Sequence, residues 1–417
     1  MEPLTAEDIA ILDVESTTIA GHTCKVVLLD GAPTLDDVRA RVENRLSRIP
    51  RCRERLAPDA PEPAWTDPAS IAVEEHVRPA PGGEDLSAAV SRAMSGRLDR
   101  SRPLWDLELV AGAGDGRSAL VWRVHHAMAD GMTMMRWASD LLWDDEPVAP
   151  SAKVVGPPVP GSLFSGLTGV ARTAVSLGKE FRPLRDSGPF GGRIGSQRRA
   201  GFARCSLDDL RAIGHRAGDG VTVNDVVLAA VAGSLREWCV EHAATLTGAR
   251  VKVPVSMHVH GPDAADLGNH DSFMYVDLPI GEPDPLARLR AVNRETRERK
   301  TRHDAEAVYD VLGALDRIAP GAARIAGRLL MNPREFTLNV SNVPGPRSPI
   351  SVLGKSVVEL YSFAEIAQRH PVRIAAVSLC DTMQFGVLTD PELVPGTGML
   401  AAGIEASIAA LQASLSS

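Results

Sequence analysis

Hydrophobic and polar positions follow two different periods on either side of residue 125. Residues 118–124, Ser-Ala-Leu-Val-Trp-Arg-Val, form an apolar run that predicts a buried strand. Residues 132–143 place apolar side chains at helical spacing instead, at Met134, Ala138, Leu141 and Leu142. The intervening residues 125–131 are therefore predicted to form a short turn between two rigid elements.

Strand and helix patterns alternate along much of the remaining chain. The first 150 residues predict a strand at 25–29 and helices at 34–46 and 86–98. A further helix is predicted at 226–239, and Thr222, Asn224 and Asp225 at its start offer capping and acidic groups. Further strands are predicted at 251–255, 272–278, 335–340, 374–379 and 383–387. The fold class predicted from these patterns is mixed α/β.

A proline-rich stretch divides the chain. Residues 148–160 break every regular pattern, because proline fixes φ and lacks an N–H donor. From there to residue 200 we predict an interdomain linker with one amphipathic helix, which either bridges the domains or acts as a lid or lipid-surface element. Its apolar stripe consists of Leu163, Leu167, Val170, Ala174, Leu177 and Phe181. The predicted parts are thus residues 1–150, 151–200 and 201–417.

The composition is that of an ordinary globular protein. Of its 417 residues, 44% are hydrophobic and 24% charged, and the net charge is −8. This acidic balance argues against a nucleic-acid partner, although Arg198-Arg199 leaves a local basic patch possible. The five cysteines contain no Cys-x-x-Cys pair, so neither a disulfide framework nor a zinc site is indicated.

The sequence offers no export or membrane-spanning signal. The acidic start Met-Glu-Pro-Leu-Thr-Ala-Glu-Asp differs from a secretory signal, and the longest apolar run, residues 226–235, falls short of the roughly 18–20 residues that span a bilayer. We expect a cytoplasmic protein, with at most peripheral contact to the inner membrane face or to lipid inclusions.

The predicted turn carries candidate catalytic chemistry. Its sequence is His125-His126-Ala-Met-Ala-Asp130-Gly131. A neutral imidazole can take a proton from a hydroxyl at physiological pH and return it later. A capped helix start at Asp130 beside two packed histidines is the structural alternative. Adjacent histidines point apart and no further ligands are spaced nearby, so no metal is expected.

Several short motifs accompany the histidines, in a fixed order along the chain. They are Pro103-Leu104-Trp105, Asn224-Asp225, Pro254-Val255-Ser256, Gly268-Asn269 and Ser341-Asn342-Val343-Pro344-Gly345-Pro346. In this order they resemble the bacterial wax ester synthase/diacylglycerol acyltransferase family over nearly the whole chain. The resemblance implies two chloramphenicol-acetyltransferase-like domains with a tunnel between them, and His126 as the general base.

The reaction implied by the resemblance is transfer of a fatty acyl group to a hydroxyl. Acyl-CoA is the co-substrate, a long-chain alcohol or diacylglycerol is the acceptor, and no cofactor is needed. Wax ester or triacylglycerol is the product. His125 and Asp130 would orient the turn, and Gly131 would permit its tight bend.

Substrate-binding residues are predicted on a later strand. Along residues 336–341, Thr337, Asn339 and Ser341 share one face, so they could line a tunnel. Ser341 and Asn342 are the first candidates for donors to a tetrahedral oxyanion. Alternatively, Asn342 begins the turn that ends the strand. Asn269 carries the same ambiguity.

Two other motif residues have a structural alternative. Trp105 is a candidate substrate contact, and packing at the tunnel wall or in the core is its structural alternative. Asn224 and Asp225 are expected to stabilise a helix start.

The chain departs from the family pattern at three places. His258, with His260 nearby, stands where the family usually has arginine, His370-Pro371 where it often has glycine, and Leu379 where it often has tyrosine. These changes bear on substrate choice. Two alternatives therefore stay open: a related acyltransferase that esterifies a polyketide or other natural-product alcohol, and a catalytically weak lipid-binding or lipid-droplet coat protein.

Overall fold

The computed structural model describes residues 1–57, 63–67, 69–145, 188–246, 249–256, 271–301, 336–366 and 368–416. Within them the fold is mixed α/β, as predicted, with two six-stranded sheets. The predicted linker helix lies outside the described residues, and so do Asn269, His258 and His260. No described helix combines the length and the apolar character needed to cross a bilayer.

Strands and helices are numbered here along the described residues. The strands are β1 (Glu2–Pro3), β2 (His22–Leu29), β3 (Ala64–Trp65), β4 (Val77–Pro79), β5 (Trp105–Ala111), β6 (Ser118–His125), β7 (Arg199–Ser206), β8 (Arg250–Ser256), β9 (Asp271–Asp277), β10 (Leu338–Val343), β11 (Ser351–Val352), β12 (Lys355–Ala364), β13 (Val372–Leu379) and β14 (Thr382–Thr389). The helices are α1 (Ala6–Val14), α2 (Leu35–Arg45), α3 (Val73–His76), α4 (Leu86–Ser95), α5 (Gly131–Leu141), α6 (Leu207–Ala217), α7 (Val223–Glu241), α8 (Pro285–Thr301) and α9 (Thr397–Ser414).

The first sheet has the strand order β11-β12-β2-β6-β5-β4. Its neighbours are antiparallel except for the parallel pair β4 and β5. Strand β12 comes from the C-terminal part of the chain and pairs with β2, for example Tyr361 with Val26. The predicted division at residues 150 and 201 therefore does not follow the sheets, because residues 351–364 complete the first one.

The second sheet has the order β7-β14-β13-β10-β8-β9. Strand β10 runs parallel to both β13 and β8, and the other pairs are antiparallel. One face of this sheet, with Leu338, Val340 and Ile374, packs into a buried core together with α7. The opposite face is left for contacts with the first half of the chain.

Two further buried clusters lie on the two faces of the first sheet. One joins its Val27 face to α5 and reaches Val377 on β13 of the second sheet. The other cluster joins α4 and Leu388 of β14 to the opposite face of the first sheet, the face that carries Val26. The second sheet therefore contacts both sides of the first, which brings β10 and β13 close to the end of β6.

Most predicted elements are present at nearly the predicted places. The strand and helix on either side of residue 125 are β6 and α5, and the predicted helices at 34–46, 86–98 and 226–239 correspond to α2, α4 and α7. The strand predicted at 335–340 is displaced, because β10 continues through Asn342 and Val343, which pair in parallel with Ala376 and Val377. This backbone pairing overrides the local tendency of asparagine to begin a turn.

Candidate active site

The histidine pair lies where β6 ends and a short turn leads into α5. His125 is the last residue of β6, and its backbone N–H donates to the carbonyl of Leu104 at 2.9 Å. Its own carbonyl accepts the N–H of Met128 at 2.9 Å, which closes the turn. The imidazoles are thus carried by backbone that is hydrogen-bonded on both sides.

The ring of His125 is fixed by a backbone donor and a buried carboxylate. Its Nδ1 accepts the N–H of Ala127 at 3.2 Å, so the ring proton is on Nε2, which lies 3.4 Å from Oε2 of Glu15. Burial raises the pKa of Glu15, but His125 and Arg100 outweigh it, and the net pKa is lowered. His125 is therefore a positioning residue whose tautomer is set by Glu15 and Ala127.

Gly21 contacts both histidines: it lies against the ring of His125 and hydrogen-bonds the backbone of His126. Its carbonyl accepts the N–H of His126 at 2.9 Å. Its φ is +71°, and a Cβ built on it would lie 2.6 Å from Nε2 of His125. Only glycine allows this close approach without strain or a clash.

The imidazole of His126 is neutral at physiological pH. Burial lowers its pKa to about 4, and the positive charge of Arg373 contributes to the shift, whereas its own backbone carbonyl and Asp130 oppose it. Its Nδ1 is buried and has no hydrogen-bond partner in the described part of the chain. The ring is held in the form that accepts a proton.

Asp130 caps the helix that follows the histidines. Its Oδ1 accepts the N–H of Thr133 at 2.6 Å, an interaction that typically contributes about 1 kcal/mol. Its Oδ2 is buried and has no partner among the described residues. The charge of Asp130 also acts on the buried amine of Lys25, whose pKa burial lowers to about 8. Asp130 thus has a structural part in the turn.

Gly131 does not make the tight bend that we predicted from the sequence. It is the first residue of α5, and it is absent from the glycines with positive φ. A Cβ built on it would lie 3.7 Å from Cγ2 of Val343, an ordinary van der Waals distance. The glycine that the turn requires is Gly21.

The contact between Gly131 and Val343 shows which face of β10 meets the histidine turn. Because side chains alternate along a strand, Asn339 and Ser341 share the face of Val343. Asn342 lies on the opposite face, with Leu338 and Val340. No hydrogen bond within the described residues engages the side chains of Asn339, Ser341 or Asn342.

The segment after β10 is held against β13. The N–H of Gly345 donates to Oγ of Ser378 at 3.0 Å, and a Cβ at Gly345 would lie 1.9 Å from the carbonyl oxygen of Ser378. The carbonyl of Pro346 accepts the N–H of Cys380 at 2.8 Å. The Pro-Gly-Pro motif thus fixes the end of β10 beside the turn.

A buried charged network borders the histidines on the other side. Glu365 accepts Nε of Arg198 at 2.8 Å and the N–H of Ala20 at 3.2 Å, and its carbonyl accepts Nη1 of Arg373 at 3.0 Å. Arg198 is only 4% exposed. The basic surface patch considered at Arg198-Arg199 is therefore not formed, since one of its two guanidinium groups is an internal ion-pair partner.

Three of the predicted motif residues lie in the core or at a helix start. Trp105 is buried in the core, stacks on His76 and donates its indole N–H to the carbonyl of Cys52 at 2.8 Å. Thr222 caps α7, and Asp225 accepts its N–H at 2.8 Å and the hydroxyl of Thr296 at 2.6 Å. The half-buried Asn224 lies between them in the first turn of α7.

The three residues that depart from the family pattern differ in their surroundings. His258 lies outside the described residues. The ring of His370 stacks on Phe336 at a centroid distance of 3.9 Å, with Nε2 3.2 Å from the Phe336 carbonyl. Leu379 is buried in the cluster that contains α5.

The structure brings His125, His126 and Asp130 together with the Ser341 face of β10.

Three neighbours of the histidines were not predicted from the sequence: Glu15, Gly21 and Arg373. None belongs to a recognisable motif, and each reaches the turn through strand pairing or a long-range contact. A signal was present only for Arg373, a charged residue in the otherwise apolar pattern of β13.

Comparisons with known proteins find relatives along nearly the whole chain. Residues 4–227 match the family model of the wax ester synthase/diacylglycerol acyltransferase catalytic domain, and residues 267–412 match that of the WS/DGAT C-terminal domain. The chain is 29% identical over 448 aligned positions to a Mycobacterium tuberculosis (strain ATCC 25618 / H37Rv) protein named "Probable diacyglycerol O-acyltransferase tgs1", covering 99% of this chain and 96% of that protein.

Solved structures share the fold. The wax ester synthase/diacylglycerol acyltransferase from Marinobacter aquaeolei VT8 superposes with a TM-score of 0.73 at 22% identity, covering 100% of both chains. The starter condensation domain of rhizomide synthetase, in complex with C8-CoA and Leu-SNAC, superposes with a TM-score of 0.60 at 13% identity, covering 100% of this chain and 94% of that one. The predicted two-domain acyltransferase fold is therefore confirmed, and the tunnel stays a prediction.

Proposed function

The chain belongs to the wax ester synthase/diacylglycerol acyltransferase family, and we propose that it uses His126 as the general base for acyl transfer from acyl-CoA to a long-chain alcohol or diacylglycerol. It is an acyltransferase of that type, and the proposal concerns its base and its substrates. The observation that carries the proposal is His126 itself. Its backbone is anchored to Gly21, its ring is neutral, and its Nδ1 has no hydrogen-bond partner within the described residues.

The proposed reaction proceeds through a ternary complex. His126 takes the proton of the acceptor hydroxyl, and the resulting alkoxide attacks the thioester carbonyl carbon. The carbonyl π electrons move to oxygen and form a tetrahedral oxyanion. When this collapses, the C–S bond breaks, the ester is released, and the CoA thiolate takes the proton back from His126.

The low pKa of His126 fixes the form in which its ring meets the substrate at neutral pH. A histidine with a pKa of about 4 is a weak base, but essentially every molecule is in the proton-accepting form. The conjugate imidazolium is then a strong acid toward the leaving thiolate. His125 and Asp130 hold the turn and carry no proton in this scheme.

Substrate contacts are proposed on the face of β10 that meets the histidine turn. Ser341 and Asn339 share the face of Val343, and their side chains have no hydrogen bond among the described residues, which supports contact with the acyl or acceptor group. Asn269 remains a proposed substrate contact, whereas Asn342 lies on the face of β10 that packs with Val340 in the core. For Trp105 the core packing favours the structural alternative.

The substrates suggest where the enzyme works. A long-chain alcohol or diacylglycerol dissolves in membranes and lipid inclusions, so we propose peripheral contact of the enzyme with such a surface on the cytoplasmic side. The reaction as written needs acyl-CoA as co-substrate and no metal or cofactor. A chelator is therefore expected to leave the rate unchanged.

The experiment is a thiol-release assay with palmitoyl-CoA and hexadecanol or dioleoylglycerol, with ester formation measured in parallel. Wild type is expected to form both products only when the acceptor is present, and His126→Ala to lose at least about 100-fold in rate. His242→Ala is a matched control, because His242 stacks on Trp238 at the end of α7. Equal rates for wild type and His126→Ala would contradict the proposal, and a panel of acceptors separates lipid alcohols from natural-product alcohols.

A further inference from the structure

Arg373 is a half-buried cation, and the described residues give its guanidinium a single hydrogen-bond acceptor. Its Nη1 donates to the backbone carbonyl of Glu365 at 3.0 Å, and its buried Nε has no partner within the described residues. The carboxylate of Glu365 is already bound by Arg198 and by the N–H of Ala20. No carboxylate of the described residues hydrogen-bonds Arg373, and withdrawing a guanidinium from water is costly unless hydrogen bonds or an opposite charge compensate it.

Arg373 is linked to the histidine turn through backbone contacts, and its charge acts on His126. The N–H of Glu365 donates to the carbonyl of His22 at 3.2 Å, and the neighbouring Gly21 accepts the N–H of His126 at 2.9 Å. Arg373 also pairs in register with Asn339, whose side chain shares the face of Ser341. Arg373 therefore lies where the second sheet meets the histidine turn.

We propose that Arg373 is a catalytic residue, whose guanidinium stabilises the negative charge that develops on the thioester carbonyl oxygen during acyl transfer. This inference rests on the proposed function. When the alkoxide forms its bond to the carbonyl carbon, the π electron pair moves to the oxygen, and N–H groups of the Arg373 guanidinium donate to that oxyanion. The charge disappears when the carbonyl re-forms and the C–S bond breaks.

Arginine suits this role physically. Its guanidinium offers several donors in a fixed plane, and a preorganised donor in a site without bulk water stabilises charge strongly. Burial lowers the pKa of Arg373 to about 10, so the group remains a cation at neutral pH. Glu365 is the carboxylate that acts against this shift.

The same charge acts on the base. Among the described residues, the main charged and titratable groups that act on His126 are Arg373, Asp130 and His125, and Arg373 and His125 both disfavour its protonated form. A single guanidinium would thus hold the base neutral before attack and stabilise the oxyanion after it. Loss of the cation should therefore change both the rate and the pH dependence.

Arg288 provides a matched control for the substitution. It is 4% exposed, its Nη1 donates to a backbone carbonyl, that of Glu282, at 2.8 Å, and its Nε has no partner among the described residues. It lies on α8 in the helical layer of the second half, beside Gly233. Its charged neighbours are Arg236, Glu237, Glu282 and Asp284, and not His126.

The test compares Arg373→Gln, Arg373→Lys and Arg288→Gln in the acyl-transfer assay. Arg373→Gln is expected to lower kcat about 10²–10³-fold with a much smaller change in KM, and Arg373→Lys to retain part of the rate. Arg288→Gln is expected to stay within about threefold of wild type. Unfolding in urea checks that each variant is folded at the assay temperature.

A second readout measures the base directly. The Cε1–H signal of His126, identified by its absence in His126→Ala, is titrated by NMR. Arg373→Gln is expected to raise the pKa of His126, and Arg288→Gln to leave it unchanged. An unchanged kcat in Arg373→Gln, with wild type active and His126→Ala inactive, overturns this inference alone. An inactive wild type overturns the proposed function, and the oxyanion role of Arg373 with it.

Discussion

The backbone of Gly21 and the imidazole of His125 lie so close together that no side chain fits between them. A Cβ on Gly21 would be 2.6 Å from Nε2, the atom that also lies 3.4 Å from Glu15. The carbonyl of the same glycine holds the N–H of His126. A side chain at position 21 would therefore displace the histidine turn as a whole.

Gly21→Ala is expected to lower both stability and kcat. The positive φ costs roughly 1–2 kcal/mol for an L-residue, and the clash displaces His125 further. The matched control is Gly354→Ala, because Gly354 has the same φ of +71° and a Cβ at that position would have no described atom within 4 Å. Urea unfolding and kcat are measured for both variants. The contact has no catalytic consequence if the two variants lose the same activity.

Wild-type activity is expected to persist at mildly acidic pH. Since the pKa of His126 is lowered to about 4, the base stays neutral as the pH falls from 8 to about 5. The measurement is the pH profile of kcat/KM with palmitoyl-CoA, which reports groups of the free enzyme. A fall in rate centred near pH 6.5 would show that His126 has an ordinary pKa.

The local parts of the site could be predicted from the sequence, and the long-range parts could not. The strand, turn and helix around His126 follow from side chains close together along the chain, so their periodicity was sufficient. Gly21 and Arg373 reach the turn only through sheets that join distant segments, as when β12 pairs with β2. Local patterns contain no information about that pairing, and the displaced start of β10 has the same cause.

Lys25→Met is expected to stabilise the protein at pH 7 and to remove part of its pH dependence. Burial lowers the pKa of the Lys25 amine from 10.5 to about 8, and the amine donates to the hydroxyl of Ser362 at 2.8 Å. Between pH 8 and about 10.5 the unfolded chain holds this proton and the folded chain does not, so wild-type stability rises with pH there.

The measurement is urea unfolding of wild type and Lys25→Met at pH 7 and pH 9.5. The variant is expected to be more stable by about 2 kcal/mol at pH 7, with a smaller difference at pH 9.5. A difference that is independent of pH would mean that the buried amine does not titrate in this range.

Asp144→Asn is expected to loosen the attachment of the β11–β12 hairpin to α5. Asp144 accepts Nη2 of Arg41 at 2.7 Å, Oγ of Ser351 at 2.8 Å and the N–H of Gly354 at 2.8 Å. Although burial acts against it, these donors lower the pKa of Asp144 to about 2. The carboxylate therefore stabilises the fold above about pH 4, and this contribution is lost as the pH falls through 2.

The expected loss for Asp144→Asn is about 1–2 kcal/mol at pH 7, allowing for screening by water. The exposed neighbour Asp145 serves as the control, and Asp145→Asn should change stability by less than about 0.5 kcal/mol. Thermal or urea unfolding at pH 7 and at pH 3 tests the sign. A loss for Asp144→Asn that grows as the pH falls would contradict the assignment.

Ser341→Ala and Asn342→Ala are expected to differ, although the two residues are neighbours in one motif. Ser341 shares the face of Val343, which lies against Gly131, whereas Asn342 shares the face of Val340 in the helical core. A donor to the oxyanion must lie on the first face.

Ser341→Ala should therefore lower kcat by roughly a hundredfold at unchanged stability, as loss of an oxyanion donor does elsewhere. Asn342→Ala should act mainly on stability, which urea unfolding measures. If kcat responds to Asn342→Ala and not to Ser341→Ala, the oxyanion lies on the other side of β10, away from the face that Asn339 shares with its paired residue Arg373.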